Sequence, residues 1–105
     1  MMDNSEHDAL FIPADPDQVD QERRKAKELK RSQWWKNQLG KGLCLYCHRR
    51  FHPKELTMDH MQPISRGGRS TKGNCVPCCS ECNDNKKNWP AETFRAWVEE
   101  MQAKA

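Results

Sequence analysis

Two cysteine pairs and one Asp-His dipeptide carry most of the chemical information in this sequence. Cys44-x-x-Cys47 and Cys79-x-x-Cys82 each set two thiols three positions apart. A turn with that spacing aims both sulfurs at one point. Two such turns brought together make a tetrahedral four-cysteine zinc site with Zn–S near about 2.3 Å. Protein fills all four positions of such a site, so its role is structural. Between the pairs stands Asp59-His60, at the end of the strand-leaning Leu56-Thr57-Met58, with Pro63 and Gly67-Gly68 marking the loop behind it. A zinc module that only binds has no evident need for adjacent Asp and His at a strand end. Taken alone the dipeptide has a plainer reading, with His60 a satisfied core histidine and Asp59 a cap.

The other cysteines leave alternatives. Cys75-x-x-Cys78 is also a valid ligand pair. Asn83 and the lysines after Cys82 suit a knuckle that opens a helix, which favours Cys79 and Cys82. Asn74-Cys75-Val76-Pro77 reads as a short strand, in which Cys75 and Cys78 act as small hydrophobes. His48 and His52 are the nitrogen ligands that could replace a cysteine.

The order and spacing of these residues resemble the HNH endonuclease family. The match runs from Cys44-x-x-Cys47 through Asp59-His60-x-x-Pro63-x-Ser65-x-Gly67-Gly68 and Asn74 to Cys79-x-x-Cys82-Asn83 and Lys86, about 45 of 105 residues. The resemblance implies a zinc-bound ββα-metal fold and a metal-dependent endonuclease. In that role His60 is the general base and Asp59 a ligand of a catalytic divalent metal. Asn83 is the second protein ligand, and Asn74 tethers the loop that carries His60. Many members have His at the last position; Asn there makes this a His-Asn-Asn variant. A neutral imidazole near its reference pKa of about 6.5 suits proton abstraction. Oxygen ligands suit Mg²⁺ or Mn²⁺, while thiolates suit zinc. The implied substrate is DNA, double-stranded, cut to 5′-phosphate and 3′-hydroxyl ends. No base-reading module is evident, so weak sequence preference is expected. Asn83 also reads as a plain helix N-cap and Asn74 as a turn residue. Arg66, Arg69, Lys72, Lys86 and Lys87 flank the motif and are candidates for phosphate contacts. Arg49 and Arg50 are weaker candidates on the knuckle.

The bulk properties fit a stapled domain. Only 35% of residues are hydrophobic and 31% are charged, with mean hydropathy −1.10. So small and polar a core needs a staple. No apolar run approaches the roughly 20 residues that span a membrane, and the first 20 residues lack a signal-peptide layout. The expectation is a cytoplasmic protein with reduced thiols and no membrane partner. Residues 1–20 hold Asp3, Glu6, Asp8, Asp15, Asp17 and Asp20 and no Lys or Arg. All 18 basic residues therefore sit in the rest of the chain beside nine acids, a formal +9 that suits a polyanionic partner.

The elements that must position these residues form an α+β domain. Residues 1–17, with Leu10-Phe11-Ile12, read as an acidic, flexible tail. The resemblance implies a single nuclease domain over 18–105, with its motif core at 43–88. Residues 18–38, free of Gly and Pro, read as one basic helix ending before Gly40. A two-stranded antiparallel hairpin is expected near 56–60 and 74–78, then a helix from 80 to 88. Residues 89–103 form the clearest helix: Pro90 starts it, and Phe94, Trp97, Val98 and Met101 make an i, i+3, i+4, i+7 stripe. That face should pack on the body, with Trp34 or Trp35 as partner. The rival functions are a catalytically silent zinc module that binds nucleic acid, and a structural one that binds a protein.

Overall fold

The computed structural model of the chain describes residues 14–104. Of the expected tail, residues 1–13 with Leu10-Phe11-Ile12 lie outside the described residues. In chain order the described elements are α1 (Pro16–Lys30), α2 (Gln33–Gly40), a 3₁₀ turn (Pro53–Glu55), β1 (Leu56–His60), a second 3₁₀ turn (Ile64–Arg66), β2 (Cys75–Cys79), α3 (Ser80–Lys86) and α4 (Ala91–Lys104). The class is α+β, a hairpin followed by a helix with helices on either side.

The N-terminal helix starts earlier than expected and is broken. Asp15 caps α1 by accepting from Asp17 N (3.4 Å), with Pro16 at the first helical position. The single helix expected over 18–38 becomes two. The Ser32 hydroxyl donates to Leu29 O (2.6 Å) and accepts from Trp35 N (3.2 Å), ending α1 and capping α2. A serine side chain competes with helical bonding in this way, and propensity does not register it.

Strands β1 and β2 pair antiparallel, Leu56 opposite Cys79 and His60 opposite Cys75. The expected strand 74–78 is thus shifted by one residue. The loop between the strands folds back tightly. Gly67 sits in the left-handed region (φ 87°) to close the Ile64–Arg66 turn. At Gly68 a Cβ would collide with the backbone oxygen of Gln62, so only glycine fits.

The main core gathers Cys44, Tyr46, Leu56, Cys78, Cys79, Cys82, Ala91, Phe94 and Val98. So many cysteines in so few core residues leave little apolar volume without a metal. Half of the α4 stripe faces this core: Phe94 and Val98 are buried, while Trp97 and Met101 stay exposed. Phe94 meets Tyr46 edge-on at 5.1 Å between ring centroids. The expected partners lie elsewhere. Trp35 is buried outside this cluster, and the Trp34 ring lies under the Lys72 ammonium (5.8 Å). No described helix is long and apolar enough to cross a membrane.

Candidate active site

The candidate metal site is built from two turns. After Cys44 the chain reverses through a Leu43–Arg50 bridge, with His48 at φ 60° and its N–H on Cys44 O (3.1 Å). At the other end Cys79 ends β2 and caps α3, its sulfur accepting from Cys82 N (3.5 Å). The sulfurs of Cys44, Cys47, Cys79 and Cys82 all lie within 4.8 Å of one another, and Cys47 Sγ is 3.9 Å from Cys79 Sγ. A tetrahedral site with bonds of about 2.3 Å has sulfur–sulfur edges near about 3.8 Å, so the donor set fits zinc with small adjustment. Cys75 and Cys78 are buried but outside this group; His48 and His52 are exposed and also outside it, and His52 Nδ1 accepts from Lys54 N (3.1 Å). Arg49 Nε donates to Cys47 Sγ (3.3 Å) and its guanidinium also reaches Glu81 (3.2 Å), which ties it to the knuckle.

A cleft of about 300 Å³ opens between β1, α3 and α1. Asp59, His60, Asn83, Arg23 and Lys87 line it. Successive residues of a strand point to opposite faces, so Asp59 and His60 meet different neighbours. Asp59 is buried: Tyr46 Oη donates to its Oδ2 (2.5 Å), and Lys86 Nζ lies 3.3 Å from the same oxygen. Burial raises the Tyr46 hydroxyl pKa first, and the neighbouring Asp59 raises it further. His60, half-buried, places Nε2 2.9 Å from Ser70 Oγ. Burial lowers its pKa, Lys30 and Lys86 lower it further, and the charges of Asp59 and Glu22 oppose the shift. The neutral imidazole is therefore favoured.

Asn83 lies inside α3, which begins at Ser80, so Cys79 rather than Asn83 is the N-cap. Asn83 Nδ2 donates to Thr57 Oγ1 (3.1 Å), and Thr57 Oγ1 donates to Cys78 O (3.0 Å). The threonine's one proton is committed to a carbonyl, so it can only accept from the amide NH₂. That bond orients the Asn83 amide. Among the described residues, neither Asp59 Oδ1 nor Asn83 Oδ1 accepts a hydrogen bond. A carboxylate oxygen and an amide oxygen at one cleft are hard donors that fit Mg²⁺ or Mn²⁺.

Asn74 binds the loop after His60 at three points. Its Oδ1 accepts from Gln62 N (2.8 Å), and Nδ2 donates to Gln62 O (3.0 Å) and Arg69 O (2.8 Å). It is more than a turn residue, since it ties both ends of the 62–69 segment to the start of β2.

The basic candidates separate. Lys86 is a correction to the expected phosphate contacts: it is fully buried, its ammonium held by Asp59 and by His60 O (3.0 Å). Arg66 Nε donates to Asn88 O (2.8 Å), and Arg69 lies 3.9 Å from Glu22. Lys72 and Lys87 are exposed, and α1 contributes exposed Arg23 to the cleft wall. Four further residues around the site, Glu22, Tyr46, Thr57 and Ser70, went unnoticed in the sequence. One signal was legible: Glu22 falls in phase with Val19, Ala26 and Leu29, so the inward stripe of α1 carries an acid.

A hairpin followed by a helix, with four thiols gathered where they could hold a metal and Asp, His and Asn at one cleft, defines a ββα unit. Residues 44–88 match the family model described as HNH endonuclease, a family whose members are in general nucleases. No curated protein matches the chain.

Proposed function

We propose that the chain is a metal-dependent endonuclease that hydrolyses phosphodiester bonds in double-stranded DNA with weak sequence preference. The observation that carries this reading is the meeting of Asp59, His60 and Asn83 at one cleft of an HNH domain. Cys44, Cys47, Cys79 and Cys82 would hold zinc, and Asp59 and Asn83 the catalytic ion. A bound Mg²⁺ or Mn²⁺ would act as a Lewis acid that relieves charge on the phosphate and the leaving oxygen. His60, favoured neutral by burial, takes a proton from water as the water oxygen bonds to phosphorus. The bond from phosphorus to the 3′ oxygen breaks, and that oxygen takes a proton from solvent water, leaving 5′-phosphate and 3′-hydroxyl ends. Arg23 and Lys87 on the cleft wall, with Lys72 nearby in sequence on the loop, supply positive charge for phosphates. Asn74 fixes the loop behind His60, which keeps the base in place.

A supercoiled-plasmid assay tests this reading. Zinc-loaded protein is run with Mg²⁺, Mn²⁺ or no added metal, beside His60→Ala. Nicked or linear product that needs both the added metal and His60 supports the proposal. Inactivity of folded protein across metals and pH 6–9 defeats it. The second reading, a zinc module that binds nucleic acid without cutting, is favoured by one observation: Asp59 Oδ2 is already engaged by Lys86 and Tyr46. That reading gives salt-dependent DNA affinity without cleavage.

A further inference from the structure

Helix α1 lies outside the segment that matches the family, yet it reaches the site. Glu22 is 1% exposed, an acid buried on the inner face of α1. Its carboxylate Oε1 accepts from Ser70 N (2.6 Å), and its backbone oxygen accepts from Ser70 Oγ (2.5 Å). Lys25 (3.3 Å) and Arg69 (3.9 Å) balance its charge. Ser70 is thus fixed through both its N–H and its hydroxyl, and it is itself buried beside His60 Nε2 at 2.9 Å.

Counting protons gives the direction of that last bond. A serine hydroxyl has one proton, and a backbone carbonyl can only accept. The 2.5 Å contact between Ser70 Oγ and Glu22 O therefore takes the serine proton. Ser70 Oγ is left as an acceptor toward His60, so Nε2 must carry a hydrogen. The neutral imidazole then has its lone pair on Nδ1.

We propose that Ser70, held by Glu22, is a positioning residue that fixes His60 as the Nε2–H tautomer and so makes Nδ1 the nitrogen that accepts a proton in the cleft. The catalytic meaning of this rests on the nuclease reading; the tautomer itself does not. The device joins a helix outside the family segment to the base inside it, so α1 completes the site rather than only flanking it. It also explains an acid on the inward stripe of a helix with few apolar residues: Glu22 clasps the loop that carries Ser70.

The test is nitrogen-15 NMR of the imidazole in zinc-loaded, full-length protein, well above the reference pKa of about 6.5. Wild type is expected to show a protonated Nε2 and a bare Nδ1. Ser70→Ala should move His60 toward the tautomer mixture of free histidine, and Ser70→Thr, which keeps the hydroxyl, should restore the single form. If the nuclease reading holds, Ser70→Ala lowers kcat about ten- to a hundredfold with KM little changed, as removal of an orienting partner does, and Ser70→Thr recovers most of it. A protonated Nδ1 in wild type overturns the proposal without any variant. An unchanged tautomer in folded Ser70→Ala overturns it as well. Absence of cleavage in wild type with the expected tautomer sinks the nuclease reading alone.

Discussion

Lys86 Nζ lies 3.3 Å from Asp59 Oδ2, and neither side chain is more than 7% exposed. At this depth the ammonium and the carboxylate are each other's nearest compensating charge. Removing one leaves the other uncompensated in a poorly solvated place, which typically costs about 3–5 kcal/mol. Lys86→Met should therefore lower stability by roughly that amount in urea unfolding with zinc present. The double variant Asp59→Asn, Lys86→Met should lose less than the two single losses together, because the pair is coupled. A loss below about 1 kcal/mol for Lys86→Met would mean that Tyr46 alone suffices to hold Asp59.

The metal staple is the second point to check. The core around Phe94 is narrow, and its cysteines give it apolar volume only when their sulfurs are drawn together. Removing the metal should therefore unfold the domain. The expected result is one zinc per chain, loss of helical circular dichroism on strong chelation, and recovery when zinc is returned. Cys47→Ala should lose the zinc. Cys75→Ala and Cys78→Ala should keep it, since both thiols lie outside the ligand group.

The four-cysteine cluster and the Asp59-His60 pair at the cleft were legible because they are fixed residue types at short, fixed spacings. Cys-x-x-Cys twice, Asp59-His60 and Asn83 announce themselves locally. What held them was less legible. Ser70 and Glu22 meet across 48 positions, and Tyr46 and Asp59 across 13, so no local pattern links them. Lys86 read as one surface charge among several. Its burial shows only when α3 is seen to turn Cys82 and Lys86, one helical turn apart, toward the hairpin. The break at Ser32 was missed because helix propensity outweighs one polar residue in a count, whereas a hydroxyl bonded at both ends decides the backbone.

The pH dependence follows from His60. Burial holds its pKa below the usual 6.5, so the neutral base is present at neutral pH. Cleavage, measured as kcat/KM against pH with metal saturating, should be flat through neutrality and fall only on the acid side of 6.5. The stability consequence has the same sign. With the folded value lowered, the unfolded chain binds more protons between the two values, so stability rises with pH up to about the unfolded value of 6.5 and is lost as pH falls toward the folded one. An acid limb of cleavage above 6.5 would assign the activity to another group.

Thr57 supplies the last prediction. Its hydroxyl donates to Cys78 O and accepts from Asn83 Nδ2, so it fixes which end of the amide is left for a cation. Thr57→Val keeps the β-branched shape in β1 but removes the acceptor. The Asn83 amide is then free to rotate, and its oxygen is no longer held in place. Mn²⁺ affinity, measured by calorimetry on zinc-loaded protein, should weaken by about tenfold or more, in line with the loss of other orienting partners. Zinc content and the melting transition should change little, because Thr57 is on the exposed side of the hairpin. Thr57→Ser, which retains the hydroxyl, should bind Mn²⁺ nearly as wild type does. If Thr57→Val binds Mn²⁺ unchanged while Asn83→Ala does not, Asn83 holds the ion without help from Thr57. If neither change matters, Asn83 is not a ligand, and the cation is held by other groups in the cleft.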